Sequence, residues 1–258
     1  MTAATGLADD RSWTYDLDGN RLTAVTGTGT TNTDTFTYNR TDQLINVSRN
    51  GGGGSNSFVY DVFGNMTKNA ESVFSQTSYS YDVGSRLTGI DLTGTANDST
   101  FSYDALSRIR TRLIGSTTDT YSYAGTSESV IRIATSGVTD PVDSAVDAAG
   151  NRLGVRQGTS AFAWLLPDLH GNVAAQLDAS ASSIAYAIRY DPWGEIVDTG
   201  PGTTSGTSGK TWTYQGRLDL NPPAAAEPLL DGGARLYSPG LGTFTGLDSV
   251  SGGVQDPL

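Results

Sequence analysis

The chain has 258 residues and a formal net charge of −11, from 16 basic and 27 acidic side chains. This acidity argues against nucleic acid as a partner, and the absence of cysteine excludes disulfides, cysteine-ligated zinc and thiol nucleophiles. No apolar run approaches the roughly 18 residues that a membrane-spanning helix needs, so no membrane span is predicted.

A short motif recurs along the first half of the chain, starting with WTYDLDGNRL at 13–22. Each copy has a strand-like run that ends in Tyr, followed in most copies by Asp, then a turn and a second alternating run; the copy at Tyr123 is eroded and has Ala124 in place of Asp. The tyrosines are 20–23 residues apart, and they are Tyr15, Tyr38, Tyr60, Tyr81, Tyr103 and Tyr123. A period this regular predicts a repeat architecture.

Each repeat is predicted to form one β-hairpin. Aromatic residues at alternate positions before the turn share one strand face, Asp accepts backbone hydrogen bonds, and Gly or Asn supplies the positive φ. Equal spacing would align the tyrosines in a side-chain ladder on a curved sheet; the alternative is the ordinary core of a β-sandwich. The predicted repeat residues are Tyr15, Asp16, Tyr38, Tyr60, Asp61, Tyr81, Asp82, Tyr103, Asp104, Tyr190 and Asp191.

The period breaks after about residue 140, and other motifs follow. DAAGNRLGV at 147–155 resembles one more turn without its Tyr. The later motifs are DLHGNV at 168–173, YDPWGE at 190–195, YQGRLD at 214–219 and ARLYSPGLGTFTGLDS at 234–249. Together with the Tyr-Asp repeats, these motifs resemble the RHS/YD-repeat family of bacterial polymorphic-toxin shells, toxin-complex cocoons and the teneurin YD shell.

This resemblance implies an all-β protein whose hairpins stack into a curved spiral sheet. Residues 1–155 would form the repeat sheet. Residues 156–258 would form an irregular RHS-repeat-associated core, truncated before a second aspartate motif and a toxin. The implied function is structural, as the shell of a secreted or cell-surface bacterial protein. The expected partners are the parent protein's own C-terminal toxin, the remaining shell, or a second copy bound through exposed sheet edges; no cofactor is expected.

The resemblance also raises an enzymatic alternative, an aspartyl autoprotease that releases the toxin. Asp248 matches the first aspartate of that motif, although Ser249 replaces the usual Pro, and Arg235 matches a supporting arginine. Two carboxylates that share a proton can divide acid and base roles. Asp256 follows too soon to be the second aspartate, so the pair is predicted to be incomplete and Asp248 to be a turn residue in this chain.

Other chemistry-bearing residues are predicted to be structural. His170 has no second His or Cys for a common metal site or triad, and it is assigned to a turn. Several aspartates could suggest calcium, but they lack the ligand spacing of an EF-hand loop; they are Asp168, Asp178, Asp191 and Asp198.

A third functional hypothesis is a carbohydrate- or protein-binding adhesion module. It would use exposed Trp13, Trp193 or Trp212 for stacking, whereas the structural alternative makes Trp193 a core anchor. The segment GGGGS at 51–55 is either a natural loop or an inserted linker, since the repeat register is preserved around it.

Overall fold

A computed structural model describes residues 3–4, 10–27, 31–50, 54–72, 75–94, 98–178, 180, 182–199, 212–220, 228–233 and 235–246. The chain forms two compact units. The first unit consists of residues 1–96 and 243–258, and the second unit consists of residues 97–242.

The first unit is a series of antiparallel hairpins in which each strand pairs with the next along the chain. Its strands are β1 (Ala3–Ala4), β2 (Arg11–Tyr15), β3 (Arg21–Thr26), β4 (Asn32–Tyr38), β5 (Leu44–Arg49), β6 (Ser55–Tyr60), β7 (Met66–Ser72), β8 (Ser75–Tyr81) and β9 (Leu87–Leu92).

The second unit follows the same plan. Its strands are β10 (Ser99–Tyr103), β11 (Ile109–Ile114), β12 (Thr117–Tyr123), β13 (Val130–Thr135), β14 (Val142–Val146), β15 (Arg152–Gln157), β16 (Ala163–Pro167), β17 (Val173–Leu177), β18 (Ile184–Tyr190) and β19 (Ile196–Thr199). A 3-10 turn at Tyr214–Gly216 precedes β20 (Leu230–Asp231), which pairs with β21 (Leu236–Ser238).

A last strand, β22 (Thr243–Phe244), belongs to the first unit. The all-β prediction of consecutive Tyr-Asp hairpins is thus confirmed. The hairpins also continue beyond residue 155 as far as β19, so regular structure extends into the segment that was expected to be irregular. The described part of the chain contains no helix that is long and apolar enough to cross a membrane.

The core lies on one face of the hairpins, and its aromatic residues stand two positions before the repeat tyrosines. This follows from the two-residue period of a strand. The buried aromatics at this position of the Tyr-Asp strands are Trp13, Phe36, Phe58, Tyr79, Phe101 and Tyr121. The repeat tyrosines themselves are only half-buried.

Each Tyr-Asp hairpin contains a β-bulge just after its turn. In the first hairpin Tyr15 pairs with Arg21 and Thr14 pairs with Thr23, so Leu22 is the extra residue. The same register shift follows the later repeat tyrosines, at Tyr38, Tyr60, Tyr81, Tyr103, Tyr123 and Tyr190. Bulges bend a strand and increase its twist, so each repeat carries a local source of the curvature that the sequence predicts.

Candidate functional site: the Tyr-Asp turns and the cavity at Asp231

The turn aspartate organises each hairpin tip through one carboxylate. In the third hairpin Asp61 Oδ1 accepts the amide N–H groups of Phe63 and Asn65, each at 2.9 Å, while Oδ2 accepts the Asn65 side-chain amide at 2.9 Å. The same pattern of amide acceptance recurs at Asp16, Asp82, Asp104, Asp147, Asp168 and Asp191. The predicted capping role of these aspartates is therefore confirmed.

The residue with positive φ is the third after the aspartate, and the fourth closes the turn with its side chain. Gly64 has φ of 82° and Ser85 has φ of 58°. Of the two residue types predicted to supply the positive φ, Gly or Asn, it is Gly that does so in the Gly-Asn turns. Asn65 instead donates to Asp61, and Arg86 takes the same place by donating to Asp82 through Nε at 2.8 Å.

These hydrogen bonds keep the turn carboxyls ionised. The Arg86 guanidinium lowers the pKa of Asp82. Burial alone would raise the pKa of Asp61, but hydrogen bonds from the Asn65 side chain and backbone outweigh it, and the pKa is lowered. Groups whose pKa is lowered by folding stabilise the fold above their unfolded pKa, near 4, and that contribution is lost as the pH falls.

The repeat tyrosines join neighbouring hairpins through their hydroxyl groups. Tyr60 donates to the backbone carbonyl of Leu44 at 2.8 Å, the first residue after the preceding turn. Equivalent bonds run from Tyr38 to Arg21, Tyr81 to Met66, Tyr123 to Ile109 and Tyr190 to Val173. The repeat tyrosines thus form a series of hydroxyl-to-carbonyl hydrogen bonds from one hairpin to the one before it. Because burial raises the pKa of Tyr38 to about 12, this hydroxyl keeps its proton at neutral pH.

The YDPWGE turn at 190–195 is covered by two tyrosines from later in the chain. Tyr214 donates to the carbonyl of Pro192 at 2.8 Å, and Tyr237 donates to the carbonyl of Trp193 at 2.7 Å. The Tyr214 and Tyr237 rings stack at a centroid distance of 6.0 Å. A Cβ at Gly194 would lie 2.5 Å from the Tyr214 ring, so this turn requires glycine.

The three tryptophans proposed for carbohydrate stacking are buried. Trp13, Trp193 and Trp212 are 3%, 8% and 3% exposed. The Arg152 guanidinium also covers Trp212, 4.0 Å from the ring centroid. The expectation that these side chains present an exposed stacking surface is therefore wrong, because each lies in the core, and the role of Trp193 as a core anchor is confirmed.

A cavity of about 290 Å³ in the second unit brings together charged residues that are distant in sequence. It is lined by Glu128 after one turn, Arg152 after the next, and Arg217 and Asp231 from the C-terminal part of the unit. Burial raises the pKa of Asp231 to about 6, and it lowers the pKa of Arg152 to about 9. The cavity thus brings together acidic and basic side chains that are partly removed from solvent. The sequence analysis did not predict this grouping.

Of the predicted catalytic residues, Arg235 lies in the described part of the chain. Asp248 lies outside the described residues, as does Asp256. Arg235 is half-buried, and its backbone carbonyl accepts the Gly232 amide at 3.0 Å. His170 lies in an exposed turn, where its amide donates to Asp168, as predicted. The described residues contain no group of three or more His, Cys, Asp or Glu side chains that could hold a metal ion.

Replacing Asp231 by Asn should stabilise the protein above pH 6. Between pH 4 and 6 the folded protein holds a proton that the unfolded chain has released, so stability falls as the pH rises through this range. A rise in pKa from 3.8 to about 6 corresponds to about 3 kcal/mol, which solvent in the cavity reduces. We expect Asp231→Asn to gain about 1–2 kcal/mol at pH 7.5 and much less at pH 4.5, measured by urea unfolding.

The matched control is Asp147→Asn, since Asp147 has a pKa lowered by its Asn151 partner and should lose stability at neutral pH. A gain from Asp231→Asn that is the same at both pH values would contradict the prediction.

A comparison with known families identifies the fold. The family model for the teneurin YD-shell matches residues 1–248. The chain belongs to the teneurin YD-shell family. The resemblance to RHS/YD-repeat proteins is thereby confirmed, and this YD-shell chain is a shell module.

Solved structures support the same fold for the YD-shell chain. It is similar to the crystal structure of TcdB2-TccC3-TEV, with a TM-score of 0.64, 14% identity and coverage of 93% of this chain and 14% of that chain. It is also similar to TcdB2-TccC3-Cdc42, with a TM-score of 0.51 and 16% identity, covering 94% of this chain and 16% of that one. No curated protein sequence matches it. The YD-shell chain therefore spans about one-seventh of the length of these chains, and the likeness concerns the fold alone.

Proposed function

We propose that this YD-shell chain forms part of the wall of a secreted or cell-surface bacterial shell that encloses the C-terminal toxin of its parent protein. The main support for this proposal is the hydrogen bond, repeated along the chain, from a Tyr hydroxyl to a backbone carbonyl of the preceding hairpin. Within each unit it adds a second connection to the backbone ladder between neighbouring hairpins, as between Tyr60 and Leu44. Such a design builds a continuous sheet.

The turns support the same role. Each aspartate accepts hydrogen bonds from the backbone amide groups of its own hairpin tip. A further hairpin therefore needs no turn contacts from its neighbours. Stability in such arrays comes from repeats and their nearest neighbours. The partners of the chain would be the rest of the shell and the enclosed toxin, and a second copy could pair with a free sheet edge.

Protease protection of the natural downstream region tests enclosure. The parent protein, with its natural flanking sequence, is treated with a nonspecific protease, and fragments are followed by mass spectrometry. We expect the downstream region to resist cleavage while the shell is folded and to be cleaved once mild denaturant opens it. Cleavage of the downstream region in the folded parent as fast as in the isolated region would contradict the proposal.

The same material tests the autoprotease alternative. Parent protein and its Asp248→Asn variant are compared on a gel after purification without added protease. A cut that occurs in the parent and is absent from Asp248→Asn would assign Asp248 a catalytic role. If the chains stay intact in both samples, the autoprotease alternative is rejected and the wall function is the one that remains.

A further inference from the structure

Two of the Asp-x-x-Gly-Asn turns each hold a segment from the C-terminal part of the chain. In the first unit the Met66 amide donates to the Thr245 carbonyl at 2.7 Å. In the second unit the Val173 amide donates to the Thr213 carbonyl at 3.0 Å. Met66 and Val173 occupy the same place, directly after the Asn of the turn. The two contacts are therefore equivalent.

The two held segments share a sequence pattern. One contains Thr243-Phe244-Thr245 and the other contains Thr211-Trp212-Thr213. In both, the second Thr supplies the bonded carbonyl and is buried, with 3% exposure for Thr245 and 6% for Thr213. The same pattern also occurs in the repeat strand β4, as Thr35-Phe36-Thr37, and it is typical of a strand segment.

The Asn side chain serves both the turn and the segment. Asn172 donates through its amide nitrogen to Asp168 at 2.7 Å, and its oxygen accepts the Gln215 amide at 2.8 Å. In the first unit Asn65 donates to Asp61, and a Cβ at Gly246 would lie 3.1 Å from the Asn65 oxygen. The segment thus passes directly against the amide in both units.

Two turns with the same Asp-x-x-Gly-Asn sequence provide a contrast. There the Asn is followed by arginine, as in Asn20-Arg21 and Asn151-Arg152. Asn151 is exposed, and its side-chain amide donates a hydrogen bond to Asp147 at 2.8 Å. The Asn20 side-chain amide donates to Asp16 and to Asp42 of the next turn. Where the segment is held, the next residue is apolar and fully buried, 0% exposed for Met66 and 3% for Val173.

We propose that a Gly-Asn turn followed by a buried apolar residue is a docking site for a peptide segment that contains an aromatic-Thr pair, such as Phe244-Thr245 or Trp212-Thr213. The site offers one backbone N–H to the carbonyl of the second Thr, and in the second unit the Asn172 oxygen also accepts an amide of the backbone that follows. In the first unit Tyr81 adds a second hydroxyl contact to Thr245 at 3.5 Å, across 164 residues of sequence. This function goes beyond wall building, because it fastens the chain that leads to Asp248 onto the repeats.

Hydrogen exchange of the full chain, read by mass spectrometry, tests the two sites separately. Asn65→Ala should speed exchange in residues 243–246 about tenfold and leave 212–218 unchanged, and Asn172→Ala should do the reverse. The control is Asn20→Ala, which loses the same clamp on the turn aspartate at a turn where the described residues show no docked segment. Exchange that stays unchanged in the matching segment, or that rises in both segments for every variant, would overturn the proposal.

A second variant decides the matter if Asn65→Ala fails to fold. Gly246→Ala places a methyl group against the Asn65 oxygen and leaves the turn untouched. We expect faster exchange in residues 243–246 with unchanged protection in β6 and β7. Wild-type exchange in 243–246 would count against docking at this turn.

Discussion

Gly194→Ala is expected to lower the free energy of unfolding by about 3–5 kcal/mol, whereas Gly171→Ala should lower it by about 1–2 kcal/mol. Both glycines occupy the same turn position with positive φ, 88° for Gly194 and 80° for Gly171. A Cβ at Gly171 meets nothing within 4 Å, but one at Gly194 would lie 2.5 Å from the Tyr214 ring. The difference between the two variants therefore measures the clash, since the cost of the backbone conformation is common to both.

Chemical denaturation of the two variants at neutral pH provides the measurement. Tyr214→Ala combined with Gly194→Ala should show a favourable coupling energy, because the smaller side chain leaves room for the methyl group. Equal destabilisation by Gly194→Ala and Gly171→Ala would show that the Tyr214 ring does not clash with a Cβ at position 194. A large difference would establish that the YDPWGE turn and the later YQGRLD segment pack as one body.

Asp119→Ala is expected to destabilise the protein by about 3–5 kcal/mol, because it leaves a buried guanidinium without its counter-charge. Arg112 on β11 and Asp119 on β12 face each other across the strands and bond at 2.9 Å, with side chains 7% and 4% exposed. Asp119 also accepts the Thr135 hydroxyl at 2.7 Å from β13. Three neighbouring strands are thus tied together on the buried face, which fixes their register.

The exposed pair of Arg132 and Asp143 is the matched control, since it also links adjacent strands. Asp143 is 16% exposed, but its partners Arg132 and Arg156 are 53% and 42% exposed, so Asp143→Ala leaves only solvated guanidinium groups and should cost less than about 1 kcal/mol. Replacing both Arg112 and Asp119 by apolar residues should restore most of the stability lost in Asp119→Ala. Equal losses from Asp119→Ala and Asp143→Ala would contradict the importance of burial, and urea unfolding decides between the outcomes.

The two kinds of contact have different consequences for the shell. The Asp-x-x-Gly-Asn turns and Tyr hydroxyl bonds recur with the period of the sequence, so a wall can be lengthened by repeating them. The docked segments and the cavity at Asp231 do not follow this period, and they join the C-terminal part of a unit to its hairpins. We expect changes in the repeats to act locally, while changes in the docking sites alter how the C-terminal part is held.

The hairpins, their capping aspartates and the positions of the repeat tyrosines could all be predicted from the sequence. These features depend on residues within one period, where strand alternation and turn chemistry act over a few positions. The bulge was missed because an extra residue in one strand appears only when its partner strand is known.

The burial of Trp212, the charged cavity at Asp231 and the docking of Thr213 and Thr245 became visible only in the folded chain. Each of these depends on segments that are far apart in sequence and carry no shared period. The sequence holds one local signal for the cavity, an acidic residue directly after two leucines in Leu229-Leu230-Asp231. Both leucines are buried in the structure. The side chains that meet across long separations are selected by packing, and packing is a property of the folded chain as a whole.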